Sequence, residues 1–103
     1  MSKKNRERGK RLEKFVAKDW GGERVGLLGY DDVRIDNWSI ECKSMNKYPA
    51  SITNWMKQAV SNCGERYPLV YLHETGAHHL DDLCIMRAMD VKWLLERVNY
   101  ASP

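Results

Sequence analysis

The chain has 103 residues, of which 43% are hydrophobic and 30% are charged. This length and composition are typical of one small globular domain with a modest core. No apolar run reaches the roughly 20 residues that span a bilayer, and the first residues are charged, so we expect neither a membrane partner nor a signal peptide. We predict a single domain over residues 1–103, with residues 1–5 as a basic, disordered lead-in.

The cysteine pattern indicates a reducing setting. Cys42, Cys63 and Cys84 are widely spaced and include no Cys-x-x-Cys pair. An odd number of such cysteines argues against a disulfide framework and against a structural zinc site. We therefore expect a cytoplasmic protein.

Positive charge is concentrated at the N-terminus. Residues 1–18 contain eight Lys or Arg and two acids, a net +6 in a chain whose total is +3. Such a basic arm favours contact with a polyanion, nucleic acid being the default, although a solubilising arm would have the same composition. The candidate phosphate contacts are Lys3, Lys4, Arg6, Arg8, Lys10, Arg11, Lys47 and Lys57.

Apolar residues at helical spacing predict a first helix over residues 5–19, which Gly21-Gly22 ends. Gly9, one turn before Glu13, is expected to let this helix approach a sheet closely. Glu13 lies at the edge of the apolar stripe, so it either faces the sheet or pairs with a basic neighbour on the helix surface. The residues predicted to face inward are Leu12, Phe15, Val16 and Trp20.

Three extended segments follow, at residues 24–28, 32–35 and 38–43. Asp36-Asn37 predicts a tight hairpin turn between the last two. Side chains alternate across a strand, so one face of the third segment is apolar and the opposite face is polar. The apolar face holds Trp38, Ile40 and Cys42, and the polar face holds Ser39, Glu41 and Lys43.

The second half predicts a helix over residues 51–63, strands at 69–72 and 83–86, and a final helix that Asp90 caps. The resulting order is α-β-β-β-α-β-β-α, with both hairpins and crossovers. We therefore predict an α/β fold in which helices flank a mixed five-stranded sheet.

The hairpin carries the residues that indicate chemistry. Pairing its strands would bring Asp32 beside Glu41, and Lys43 would share the face of Glu41 at roughly 6–7 Å along the backbone. The two carboxylates and the carbonyl of Cys42 form the hard-oxygen ligand set that Mg²⁺ prefers. Lys43 could then orient or deprotonate a metal-bound water and offset charge on a phosphate. The alternative is an exposed salt bridge on an edge strand, because Glu-x-Lys is a common pattern.

Three segments together resemble the PD-(D/E)xK nuclease superfamily, and within it the small archaeal-type Holliday junction resolvases. They are Arg8-Gly9-Lys10-Arg11-Leu12-Glu13, Asp32-Val33 and Ile40-Glu41-Cys42-Lys43-Ser44. The resemblance covers about residues 6–73 and implies a restriction-endonuclease-like fold. It also implies Mg²⁺-dependent phosphodiester cleavage, with Mn²⁺ able to substitute.

The same resemblance assigns active-site roles to Glu13, Asp32, Glu41 and Lys43. Asp31 stands where the family has a proline, so either Asp31 or Asp32 can be the metal ligand, with Glu13 as a further candidate. Many relatives carry a functional glutamine on the second helix, which makes Gln58 a candidate accessory residue.

We therefore expect a Mg²⁺-dependent endonuclease that acts on branched DNA in recombination. Cutting two strands symmetrically needs two sites, and a two-fold homodimer is the simplest arrangement. One alternative is a nuclease of the same chemistry that acts on linear duplex, DNA ends or flaps. Another is a non-catalytic DNA-binding module on a nuclease-like scaffold. His73, His78 and His79 have no cysteine or carboxylate at the expected ligand spacing, so we expect no zinc site there.

Overall fold

The computed structural model describes residues 3–25 and 32–101. They belong to two compact units, Met1–Asn46 and Lys47–Pro103, called unit one and unit two below. Unit one holds α1 (Lys3–Trp20), β1 (Glu23–Arg24), β2 (Val33–Ile35) and β3 (Trp38–Ile40). Unit two holds α2 (Ala50–Cys63), β4 (Val70–Leu72), a 3₁₀ helix (His79–Asp81), β5 (Leu83–Ile85) and α3 (Ala88–Ala101).

The order of elements is the predicted one, and the α/β class is confirmed. The described strands pair in two antiparallel sheets, one ordered β1-β2-β3 and the other β4-β5. The predicted five-stranded mixed sheet is therefore not present as one sheet among these strands. Among the described helices, none has the length and apolarity needed to cross a membrane.

The first helix is longer than predicted and ends where predicted. It begins at Lys3, so residues 3–5 of the expected lead-in are helical, as suits the good helix formers Lys, Arg and Glu nearby. Residues 1 and 2 lie outside the described part. At the other end Gly21 has φ 73°, and the Gly22 N–H donates to the Ala17 carbonyl at 2.8 Å. This left-handed residue followed by a 6→1 bond is a Schellman cap.

The hairpin between β2 and β3 has the predicted turn. Ile35 pairs with Trp38 and Val33 pairs with Ile40, which leaves Asp36-Asn37 as the two-residue loop. Asp36 has φ 50°, the positive φ that two-residue hairpin loops require. β3 ends at Ile40, so residues 41–43, predicted as strand, follow it as non-strand backbone. The first predicted strand is confirmed at Arg24 and not at Val25, and residues 26–28 lie outside the described part.

The core of unit one is small. Ala17, Val33 and Ile35 are buried, and Val16, Trp20, Ile40 and Cys42 pack against them. Phe15 and Trp38, both predicted to face inward, are 62% and 56% exposed. Phe15 stands two residues from Ala17, about 200° around the helix, and so faces away from the sheet. Trp38 is the first residue after the turn, at the end of the hairpin.

A glycine does allow helix and sheet to approach closely, but it is Gly22 and not Gly9. A Cβ on Gly9 would meet nothing within 4 Å. A Cβ on Gly22 would overlap Cγ1 of Ile35 and lie 2.5 Å from the carbonyl oxygen of Arg34. The backbone leaving α1 therefore touches β2 directly, at a point where no side chain fits.

Unit two departs from prediction in its helices. No residue of α2 is fully buried, and its largest apolar side chain, Trp55, is 45% exposed. α3 begins at Ala88, so Asp90 lies inside its first turn and does not cap it. Asp90 is 4% exposed and takes two bonds from Arg87, from Nε at 2.8 Å and from Nη2 at 3.3 Å. A carboxylate in the first turn also interacts favourably with the helix dipole.

We expect Gly22→Ala to destabilise the protein, because its methyl group would overlap the backbone of β2. Overpacking of this kind costs about 1–3 kcal/mol. Gly9→Ala is the matched control and should stabilise by about 0.5–1 kcal/mol, because alanine favours a helix interior over glycine. Urea unfolding of the two variants measures both effects. Equal stabilities would show that Gly22 is not a point of close approach.

Candidate functional site

Asp32 is fixed by its backbone on both sides. Its N–H donates to the Ile40 carbonyl at 3.1 Å, and its own carbonyl accepts from the Val25 N–H at 3.2 Å. Oδ2 of its carboxylate accepts from the Cys42 N–H at 2.7 Å. The contact between the two strands thus continues beyond β3 through the side chain of Asp32. Its hydrogen bond with Cys42 holds the segment that contains Glu41 and Lys43.

Glu13 reaches from α1 to the sheet. Its side chain is 21% exposed, and Oε2 lies 3.1 Å from both Nε and Nη2 of Arg24 on β1. Of the two alternatives for this residue, the structure has the one in which it faces the sheet. Arg24 was not singled out from the sequence, because its pairing depends on where β1 lies against the helix.

Glu41 and Lys43 form an ion pair with each other. Nζ of Lys43 lies 3.2 Å from Oε1 of Glu41, and the two side chains are 73% and 55% exposed. The predicted closeness of these two residues is therefore present. The same geometry also fits a plain solvent-exposed salt bridge. The pair alone therefore does not distinguish a catalytic pair from such a salt bridge.

The ionisation of the Cys42 thiol is affected by three of the predicted acids. Burial raises its pKa above the ordinary 9.0, and the negative charges of Asp32, Glu13 and Glu41 raise it further. All three carboxylates therefore lie close enough to one side chain to change its ionisation. They do not form a tight cluster, because among the described residues only His73, His79 and Asp82 place three ligand atoms within 4.8 Å of one another.

The other predicted site residues are placed as follows. Asp31 lies outside the described residues. Arg8 is partly buried and donates to Oδ1 of Asn46. Gln58 is exposed on α2, in unit two. The exposed basic residues are Lys3, Lys4, Arg6, Lys10 and Arg11 on α1, and Lys47 and Lys57 in unit two.

A second polar cluster, centred on Asp82, was missed. Its side chain is only 3% exposed and accepts from the Tyr71 hydroxyl at 2.7 Å. Nδ1 of His73 lies 2.6 Å from Oδ1, and Nδ1 of His79 lies 2.9 Å from Oδ2. The two imidazole rings stack with centroids 4.3 Å apart. The premise that no carboxylate stands at ligand spacing from these histidines is therefore wrong, and the spacing His79-x-x-Asp82 was the available signal.

The cluster also shifts ionisation. Burial raises the pKa of Asp82, but the hydrogen bonds from His79, His73 and Tyr71 outweigh it, and the net pKa is below the ordinary 3.8. The hydrogen bond to Asp82 raises the pKa of Tyr71 above 10.0. Asp82 is therefore a carboxylate, and not a neutral acid, at neutral pH.

The acids around Cys42 give a measurable pH dependence. We expect alkylation of Cys42 by iodoacetamide to be half-maximal above pH 9.0, because burial and the nearby negative charges both raise the pKa of the thiol. Glu13→Gln should move that midpoint to lower pH, since it removes one of these charges. Glu7→Gln, an exposed acid on the same helix, is the control and should leave it unchanged. Peptide mass spectrometry at a series of pH values measures the alkylation of Cys42 separately from that of the other cysteines. If Glu13→Gln leaves the midpoint unchanged, Glu13 does not lie near the thiol.

Comparison of the chain with protein-family models, with curated proteins and with solved structures found no match. Membership of a family is therefore not shown by likeness. The nuclease resemblance carried by the three motif segments stays a prediction.

Proposed function

We propose that this chain is a metal-dependent DNA endonuclease of the PD-(D/E)xK type that resolves branched DNA. The observation that carries the proposal is the hydrogen bond from the Cys42 N–H to Oδ2 of Asp32, 2.7 Å long, which ties Asp32 to the segment that contains Glu41 and Lys43. Glu13 on α1 supports it, because its charge, like those of Asp32 and Glu41, raises the pKa of the Cys42 thiol. A restriction-endonuclease-like fold belongs to the same proposal, although the described strands form sheets of three and two strands.

The donor set fits Mg²⁺. All the candidate ligands are oxygens, from Asp32, Glu41 and the Cys42 carbonyl, and hard cations prefer such ligands. Mg²⁺ keeps several waters and commonly takes only one or two protein carboxylates with the substrate phosphate. The wide spacing of the acids is therefore compatible with this ion, whereas a fully enclosed cation site would need a tighter cluster. Mn²⁺ accepts the same ligands and should substitute.

Each side chain has a role in this proposal. A bound Mg²⁺ would polarise the scissile phosphate and lower the pKa of a coordinated water. Lys43, 73% exposed, can turn from Glu41 toward the phosphate, where its ammonium offsets the negative charge that develops or orients the attacking water. Asp32, held by the Cys42 N–H, keeps its carboxylate in a fixed direction. Glu13, held by Arg24, stands at the edge of the site.

DNA as the substrate is supported by the basic helix. The exposed lysines and arginines of α1 belong to the same unit as Asp32, and such side chains bind phosphates with strongly salt-dependent affinity. The homodimer is part of the proposal because a four-way junction presents two strands to cut. Large exposed apolar side chains such as Leu83 and Met89, each 66% exposed, would suit a surface that a second copy covers. The three free cysteines are in keeping with the reducing cytoplasm.

Cleavage assays test the proposal directly. With Mg²⁺ we expect the wild-type protein to cut a four-way junction faster than linear duplex or flap DNA. Asp32→Asn and Lys43→Ala should each lower the cleavage rate by roughly 100-fold or more, the size found when one stabilising group is removed from an active site. Asp36→Asn is the matched control, because it is an exposed aspartate in the same hairpin and asparagine tolerates its positive φ.

The outcomes separate the alternatives. Faster cutting of linear duplex or flaps would keep the chemistry and replace the substrate. DNA binding by the wild type without cleavage in Mg²⁺ or Mn²⁺ would favour the non-catalytic binding module. Glu13→Gln is a further variant, and since it removes only a partly exposed ion pair it should cost at most about 1 kcal/mol of stability. Circular dichroism and urea unfolding show whether a loss of cleavage reflects loss of the fold.

A further inference from the structure

We propose that His73, His79 and Asp82 form a binding site for a transition-metal dication, with Zn²⁺ as the biological ion. The site lies in unit two and uses none of the residues assigned to DNA cleavage. It goes beyond the proposed function and does not depend on it.

The ligand atoms are already close to the spacing that zinc needs. One ligand atom from each of the three residues lies within 4.8 Å of the other two. Zinc bonds to imidazole nitrogen and carboxylate oxygen are about 2.0–2.2 Å, so the ligand atoms of a tetrahedral site lie about 3.3 Å apart. The Nδ1 atoms of His73 and His79 stand 2.6 and 2.9 Å from the Asp82 oxygens. An ion bound between each nitrogen and its oxygen therefore widens these two distances by about 0.7 and 0.4 Å, within reach of side-chain rotation.

The backbone holds the three residues in place without the ion. Leu72 pairs with Leu83 at the end of the β4–β5 hairpin. His73 comes directly after Leu72, and Asp82 comes directly before Leu83, so each is next to a paired residue. The Asp82 N–H donates to the His79 carbonyl at 3.1 Å, which closes the 3₁₀ turn. The Tyr71 hydroxyl donates to Asp82 and would orient the carboxylate from outside the ligand shell, as such partners do in zinc sites.

The donor types select the metal. Two imidazoles and one carboxylate suit Zn²⁺, Fe²⁺, Co²⁺ or Ni²⁺, whereas Mg²⁺ prefers oxygen alone. Three protein ligands leave a fourth position for water or another ligand. His79 is 81% exposed and His73 is 32% exposed, so an ion can reach the site from solvent.

Calorimetric titration of the full chain with ZnCl₂ tests the proposal. We expect one equivalent of Zn²⁺ to bind, and Co²⁺ to give the visible absorption of a tetrahedral complex. His79→Ala should abolish both signals, and Tyr71→Phe should weaken Zn²⁺ binding about tenfold, as loss of an outer-shell partner does. His78→Ala is the matched control, since His78 is adjacent but outside the cluster.

The variants are chosen to fold. His79 is so exposed that its removal leaves the core untouched, and circular dichroism of the metal-free protein confirms this. The proposal is overturned if the wild type takes up no Zn²⁺, if His79→Ala binds like the wild type, or if His78→Ala loses binding equally. The DNA-cleavage rate of His79→Ala in Mg²⁺ should equal that of the wild type, so failure of this site and failure of the nuclease proposal are distinguishable.

Discussion

The hydrogen bond from the Cys42 N–H to Oδ2 of Asp32, 2.7 Å long, is the constraint on which the candidate site depends. β3 ends at Ile40, and an unpaired segment would otherwise leave the sheet there. Asp32 substitutes a carboxylate for the missing ladder partner and holds residues 41–43 against its own strand. A charge-assisted bond of this kind is stronger than a bond between neutral groups. The position of the segment with Glu41 and Lys43 therefore depends on Asp32, which is also a proposed metal ligand.

A second constraint is the contact between α1 and β2. The Schellman cap turns the chain at Gly21, and Gly22 then lies against the backbone of Arg34 and Ile35. This contact fixes which face of α1 meets the sheet, and Ala17, a small residue, is buried there. Glu13 lies one turn earlier on the same face and so reaches Arg24. The Glu13 carboxylate is thus placed by packing several residues away.

The features that sequence predicted well depend on local chemistry. The Asp36-Asn37 turn, the end of α1 at Gly21-Gly22 and the order of elements each follow from neighbouring residues. The features it missed depend on pairing between distant segments. Gly9 and Gly22 are both glycines near α1, and only the path of β2 shows which one must lack a side chain. Asp82 lies beside His73 because of the register in which β4 pairs with β5, and the spacing of the residues in the sequence does not show that register. That Glu13 faces the sheet was one of two predicted alternatives, and its partner Arg24 was not predicted.

The contrast between the two ion pairs of unit one has a consequence for binding. The side chains of Arg24 and Glu13 are 31% and 21% exposed, whereas those of Lys43 and Glu41 are 73% and 55% exposed. Water and salt weaken an exposed ion pair, so the free energies of the paired and the separated side chains differ little. Under the proposed function, a DNA phosphate would draw the ammonium of Lys43 from its carboxylate at small cost in free energy, and Glu41 would then be available to a cation. The less exposed Glu13–Arg24 pair would stay closed and hold α1 against β1.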